Sequence, residues 1–275
     1  MKILLVVEET FFFHPKFVDG LCKKLKNDIV GVLLVTKIPK KNSLSHYLIK
    51  NLRRLYLSEI IILSAIFIIK KIKDLVYANF KIGTPHSVHS VLGKYKKKII
   101  EVENTFDNEK IVNYIINNNI DLILSSNPLY FSKKILNLKN IIFLNRHSSY
   151  LPFNAGVWPV FYSISKNHKF TGASVHLMNN KIDSGAIIKQ EKITLFSKNL
   201  YDLYEACFNK STLISLESIM EIRKKYKNTN QFNHKRKNNI FYNSFPQIKD
   251  WKDFRKNGGI FVKWKNLFET IFGSF

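Results

Sequence analysis

The sequence predicts an α/β protein with a mostly parallel sheet and a short, mainly helical C-terminal extension. Three observations predict it. Apolar runs of strand length ("KILLVV", "DIVGVLLVT", "IDLILSS", "NIIFL") recur through the first half of the chain. Stretches with apolar residues at helical spacing separate them, and strands alternating with helices build parallel sheets. After about residue 200 the pattern turns helical, with few strand-like runs left.

In order, Lys2–Val7 reads as a first strand buried on both faces, because its apolar run is continuous rather than alternating. "FVDGLCKKLKN" follows as a helix, and Asp28–Thr36 as a second strand. The stretch "HYLIKNLRRLYLSEIIILSAIFIIKKIKDLVYANF" is largely helical in pattern. "KKIIEVE" is a short strand, and "FDNEKIVNYIINN" a helix with an acidic first turn. Ile120–Ser126 and Asn140–Leu144 are two more buried strands, the second halting in a polar loop, "NRHSSYLP". Beyond residue 160, "TGASVHLM" and "GAIIKQEKITL" are β-like and flank the turn formers "NNKIDSG". "LYDLYEACFNKSTLISLESIMEIRKKY" is helical, the basic, Asn-rich Lys224–Asn239 reads as a solvated loop, and the tail holds a turn at Gly258 and Gly259 before an amphipathic helix.

Composition narrows the function classes. At 275 residues with 45% hydrophobic content, the chain can bury a core without covalent staples. Cys22 and Cys207 are the only cysteines, which argues against a disulfide scaffold, leaves no set of cysteine pairs for a metal, and fits a reducing cytoplasm. The N-terminal apolar run is broken by Glu8 and Glu9 and reads as a core strand, not a secretory signal. The longest apolar run, Ile60–Ile69, is too short to span a bilayer and reads as a buried helix, with shallow membrane contact as the competing reading. A net charge of +24 attracts nucleic acid, anionic lipid or phosphorylated substrates, but lysine dominates and is spread along the chain beside Asn and Ile, as a coding bias spreads it. Interleaved Arg and aromatic residues are missing, which disfavours a nucleic-acid partner. No GxGxxG or P-loop supports a dinucleotide or NTP site.

Loops at strand ends are where α/β sheets bind ligands. Asn145 and His147 follow a strand, and Asp183 lies in a later turn. Singly, each reads as a structural residue. If their loops meet, an amide donates to a developing oxyanion, an imidazole moves a proton near neutral pH, and a carboxylate orients that imidazole. No serine sits in a nucleophile elbow, so direct attack by a substrate amine is the simpler chemistry.

The stretch from Asn145 onward resembles the folate-dependent formyltransferases, whose signature is Asn-x-His, then Ser and Leu-Pro, a Gly with a Pro soon after, and later Thr-Gly and Asp-x-Gly. Here these are Asn145, His147, Ser149, Leu151, Pro152, Gly156, Pro159, Thr171, Gly172, Asp183 and Gly185, with His147 and Asp183 at the family's separation. The resemblance fades from residue 1 to about 195. It implies a Rossmann-like catalytic domain with helices on both faces over residues 1–200, a C-terminal helical extension over 201–275, and 10-formyltetrahydrofolate as co-substrate. By the same resemblance, Asn145 holds the formyl oxygen, His147 assists proton transfer, and Asp183 supports His147 and the tetrahedral intermediate. The pteridine sits between a loop of Asn127, Pro128, Leu129 and Tyr130 and one of Met178, Asn179, Asn180, Lys181 and Ile182. Arg146, Ser149 and Gly156 are candidates on the acceptor side. Ala155 stands where many members carry Arg or Lys, and Arg146 replaces a commoner apolar residue, its side chain aimed either at a phosphate or at solvent.

Too few strand-like runs follow residue 200 for the β-barrel of the tRNA-formylating members, while "NIFYNSFPQIKDWKDFRKNGGIF" looks like the tail of smaller formyltransferase-like proteins. The expected acceptor is therefore a small-molecule amine, such as an amino sugar on a nucleotide. A methionyl-tRNA acceptor, hydrolysis of the formyl donor, and a membrane-surface protein with a degenerate site are the alternatives. Ile260, Trp264, Leu267, Phe268, Ile271 and Phe275 form an apolar stripe on the tail helix. Three fates are open to it: packing at home, a homodimer, or peripheral membrane contact.

Overall fold

The computed structural model describes residues 1–39, 44–226 and 242–273. β1 (Ile3–Glu8) leads into α1 (His14–Lys24) and β2 (Ile29–Lys37). The long helical stretch divides into α2 (Leu44–Lys50), one 3-10 turn (Leu52–Arg54) and α3 (Leu57–Phe80). Then come α4 (Val88–Lys94), β3 (Ile99–Glu103), α5 (Glu109–Asn117), β4 (Leu122–Ser126), α6 (Lys133–Leu136) and β5 (Ile142–His147). The two-residue β6 (Ala155–Gly156) precedes α7 (Pro159–Ser165), β7 (Phe170–Leu177) and β8 (Ile187–Thr194). α8 (Leu200–Tyr226), β9 (Tyr242–Asn243), α9 (Ile248–Lys256) and α10 (Trp264–Phe272) complete the chain. The segment read as a basic loop, Lys224–Asn239, lies outside the described residues from position 227 onward.

Seven strands form one sheet in the order β3-β2-β1-β4-β5-β7-β8. β3 through β5 are parallel, and β7 and β8 continue the sheet antiparallel. The period of two along the central strands sorts their side chains into two cores. Ile3, Leu5, Val7, Leu122 and Leu124 pack with Phe17 and Leu21 of α1, Val91 of α4 and Phe208 of α8. Leu4, Val6, Leu33 and Ile123 pack on the opposite face with Ile111 and Ile115 of α5 and Ile135 of α6. Burial on both faces is why these strands read as unbroken apolar runs.

A third, aromatic core fastens the C-terminal segment to the body. Phe161 of α7 stacks on Phe254 of α9 at 4.4 Å between ring centroids, and Trp251 stacks on Phe261 at 5.4 Å. The chain thereby returns to pair β9 with β6, Tyr242 opposite Ala155 and Asn243 opposite Gly156.

Two expectations change. The run Ile60–Ile69 is not a buried helix all round: Ile62 and Ile66 are buried, but Ile61, Phe67 and Ile68 are exposed, because α3 lies at the rim and only its inward face reaches the core. The tail stripe is likewise only partly packed at home. The residue α10 buries is polar: Asn266 accepts from Asn199 Nδ2 at 2.7 Å and donates to Asp202 Oδ1 at 2.6 Å. That anchor turns Trp264, Phe268 and Ile271 outward and leaves Leu267 half-buried; Phe275 lies outside the described residues.

Candidate active site

Asn145 and His147 are not in a loop but on the last residues of β5. There the antiparallel partner β7 satisfies their backbone, with Asn145 opposite His176 and His147 opposite Ser174. Alternation along the strand points Asn145 and His147 to one side and Arg146 to the other. Arg146 borders the cavity between Asn145 and His147, but its side chain is buried under α8, away from solvent. Its Nε donates to Ser211 Oγ at 2.7 Å and its guanidinium lies 3.6 Å from the Phe208 ring centroid. That stacking is a desolvated cation–π contact, and burial lowers the Arg146 pKa to about 10.

Asp183 comes from the turn between β7 and β8, where its φ of +51° puts it in the left-handed region that Asp tolerates better than most residues. Two positions after it, a Cβ on Gly185 would collide with the carbonyl oxygen of Leu177, so this turn closes only with glycine there. Asp183 Oδ2 accepts the Gly156 N–H at 2.7 Å and lies 3.7 Å from His147 Nδ1. Its Oδ1 accepts from Asn145 Nδ2 at 3.4 Å and lies 3.5 Å from His176 Nε2. One buried carboxylate thus touches the amide and two imidazoles.

The hydrogen bonds assign the tautomers. His176 Nδ1 donates to the Leu177 carbonyl at 2.8 Å, and its Nε2 faces both Asn145 Nδ2 at 3.3 Å and Asp183 Oδ1 at 3.5 Å. His147 Nε2 donates to the Asn154 carbonyl at 3.3 Å, which leaves its Nδ1 beside Asp183 free to take a proton. Burial lowers the His147 pKa and outweighs the opposing pull of Asp183, so the imidazole is neutral at pH 7. Burial raises the Asp183 carboxyl, but His147, His176 and the Gly156 N–H together more than offset this and hold it well below the usual carboxylate range. A neutral base next to a fixed anion accepts a proton and keeps the resulting cation stabilised.

These side chains open on a cavity of about 640 Å³. Asn127, Pro128, Leu129 and Tyr130 line one wall, and Met178, Asn179, Asn180, Lys181 and Ile182 another. Two asparagines shape these walls: Asn127 accepts from Leu129 N at 2.7 Å, and Asn179 from Lys181 N at 2.9 Å. Gly156 also borders the cavity, whereas Ser149 does not; it is buried behind β7, where its carbonyl accepts from Ser174 Oγ. The volume and the mix of apolar wall with a few fixed polar groups suit a flat, drug-sized ligand.

Sequence reasoning missed two contributors. His176 meets Asn145 across the β5–β7 register, which spacing alone does not reveal. Tyr242, Ser244 and Phe245 form a third wall, delivered by the β6–β9 pairing. The Tyr242 hydroxyl lies 3.2 Å from that of Tyr130, bridging two walls. The only signal for this segment was the likeness of its Tyr and Pro pattern to short formyltransferase tails.

Residues 76–212 match the family model described as formyl transferase. The chain is 29% identical over 129 residues to a methionyl-tRNA formyltransferase of Wigglesworthia glossinidia brevipalpis, covering 46% of this chain and 40% of that protein. It is 35% identical over 96 residues to a methionyl-tRNA formyltransferase of Mycoplasmopsis pulmonis, covering 34% and 33%. The chain thus aligns with less than half the length of these curated relatives. Among solved structures, a sugar N-formyltransferase from Shewanella aligns over 94% of this chain and 88% of its own, at 19% identity and a TM-score of 0.52. A phosphoribosylglycinamide formyltransferase from Anaplasma phagocytophilum aligns over 89% and 99%, at 13% identity and a TM-score of 0.55. At such identities these structures speak for the fold. The family model, whose matched segment includes β5 and the β7–β8 turn, carries the assignment: the chain belongs to the folate-dependent formyltransferase family.

Proposed function

We propose that the protein transfers a formyl group from 10-formyltetrahydrofolate to the amine of a small-molecule acceptor, with a nucleotide-linked amino sugar as the candidate acceptor class. The observation that carries this reading is the meeting of Asn145, His147 and Asp183 around one buried carboxylate at the mouth of a cavity of about 640 Å³. Bound there, the folate supplies a one-carbon unit at the formyl level. The apolar side chains Leu129, Met178 and Ile182, with polar backbone between them, suit a pteridine ring between the two loops.

In this reading Asn145 Nδ2 donates to the formyl oxygen. Its contacts to His176 and Asp183 are both long, so little is lost when it turns to a ligand. His147 Nδ1 takes the proton of the attacking amine, Asp183 stabilises the imidazolium that forms, and the proton passes to the departing folate nitrogen as its bond to the formyl carbon breaks. His176 holds Asn145 and Asp183 in place from behind. A small acceptor is favoured because the C-terminal segment folds back as a cavity wall: Tyr47 stacks on Phe245 at 4.8 Å and its hydroxyl donates to the Pro246 carbonyl. The methionyl-tRNA reading draws on the names of the curated relatives and the +24 charge. Hydrolysis of the donor needs only water in place of the amine.

The test supplies purified protein with 10-formyltetrahydrofolate and a panel of nucleotide-linked amino sugars, with charged methionyl-tRNA alongside. One amino sugar gaining the mass of a formyl group supports the proposal. A gain on the tRNA alone, or free formate with every acceptor, refutes it.

A further inference from the structure

We propose that the outer face of α3, together with α10, docks the protein on the surface of an anionic lipid bilayer. The inference rests on surface chemistry and is independent of the formyl-transfer reading.

α3 carries apolar residues on two opposite sides, mixed with charged ones on the inner side. Glu59, Ile62, Ile66, Lys70 and Asp74 form its buried face. Leu57, Ile61, Ile68, Ile72 and Leu75 follow one another at helical spacing on the opposite face, and each is about half exposed or more. An apolar helix face belongs against a protein core or another apolar phase. Here the outer face meets solvent.

α10 carries a second exposed apolar face. It runs alongside α3: Leu267 packs with Ile62 and Ile66, and Lys73 Nζ donates to the carbonyls of Thr270 and Ile271 at 2.7 and 3.0 Å. The buried Asn266 fixes its rotation, so Trp264, Phe268 and Phe272 stand out, at 51%, 57% and 80% exposure. Apolar patches of this extent, rimmed by polar residues, mark interaction surfaces. The family model begins at residue 76 and ends at 212, so nearly all of this surface is built outside the matched segment.

Charge selects the occupant. Both acidic residues of α3 turn inward. Glu59 pairs with Arg255 at 2.6 Å, and Asp74 accepts from the backbone of His86 and Ser87. On α10, Glu269 is exposed but paired with Lys265 at 3.3 Å. Lys71 on α3, Lys81 at its C-terminal end and Lys263 at the start of α10 are all exposed. The surface is thus an apolar, aromatic centre with a basic rim, the pattern that lies in the plane of an anionic headgroup layer. A second copy is disfavoured by the same chemistry, because a two-fold contact sets each lysine rim against its own equivalent. The helix lies on the surface and does not cross it: among the described residues no helix is long and apolar enough to span.

The test uses the full chain, co-sedimented with vesicles of phosphatidylcholine alone or mixed with phosphatidylglycerol, at low and high salt. The proposal predicts pelleting with the anionic vesicles at low salt, at least about tenfold weaker with neutral vesicles, and loss on adding salt. Trp158 and Trp251 are buried, so brominated acyl chains should quench chiefly the Trp264 emission. The variant I61S/I68S/I72S, altered only on the outer face, should lose pelleting by about tenfold or more while keeping its melting temperature. If it does not fold, W264S/F268S on α10 reads the same surface. No pelleting of the wild type at low salt overturns the proposal. So does undiminished pelleting of a folded variant, which would mean charge alone binds. A stable dimer that dissociates in the variant and ignores vesicles overturns it in favour of a second copy.

Discussion

Replacing Asp183 with Asn keeps the shape of the turn and still lets a side-chain oxygen accept the Gly156 N–H, but it removes the one charge in the cluster. In the wild type, that carboxylate lies 3.7 Å from His147 Nδ1 and 3.5 Å from His176 Nε2. Without it, the proton taken by His147 is no longer stabilised, and the amide NH2 that the substitution introduces falls at the Oδ1 position, facing His176 Nε2 and Asn145. General acid–base assistance is worth about 10² to 10⁴ in rate, so kcat should fall by a factor in that range. The pH profile carries a second signature. His147 must be unprotonated to accept a proton, and its pKa lies below the ordinary 6.5, so the acid limb of wild-type kcat/KM lies below pH 6.5. Asp183 raises that pKa, so its loss moves the residual acid limb further down. Stability changes in a defined window too. The depressed carboxyl contributes stability above its unfolded value of 3.8 and loses it as pH falls below that value. The assay is steady-state formyl transfer between pH 4.5 and 8, with thermal melts at the same values. An acid limb that moves up, or turnover within about twofold of wild type, would refute the roles given to the Asp183–His147 pair.

Other expectations follow from single contacts. Asn145→Ala should cost about 10² to 10³ in kcat with an unchanged melting temperature, measured by the same assay; an unaffected kcat would remove it from the oxyanion role. Glu59→Ala strands Arg255 and the Phe261 and Tyr56 amides, and urea titration should show a loss of about 3–5 kcal/mol. Gly185→Ala forces the turn away from Leu177, and should cost about 1–3 kcal/mol and displace Asp183 enough to depress turnover as well.

Much of the sheet was legible in the sequence because its strands are buried on both faces. Lys2–Val7, Asp28–Thr36 and Ile120–Ser126 correspond to β1, β2 and β4 within two residues. The last strand was cut short because Asn145, Arg146 and His147 look like loop residues. Their backbone pairs with β7, and only the antiparallel register shows that. The same register hid His176. The direction of Arg146 was within reach of the sequence: once Asn145 and His147 share a face, the residue between them must point the other way. The outward face of α3 was not legible, because an apolar run gives no sign of how much partner surface it will find. Tyr242–Phe245 were hidden by distance along the chain, since pairing with Ala155 and Gly156 depends on the aromatic contacts of Phe161, Trp251 and Phe254.

The most direct test of the central claim follows the formyl carbon itself. A donor labelled with carbon-13 at the formyl position, mixed with excess enzyme and the acceptor found by the panel, is followed by NMR through a single turnover. The account predicts that the label leaves the folate and appears on the acceptor nitrogen with the wild type, and stays on the folate over the same interval with Asp183→Asn. Label released as formate at one rate with and without the amine, or label transferred equally fast by the variant, would contradict it.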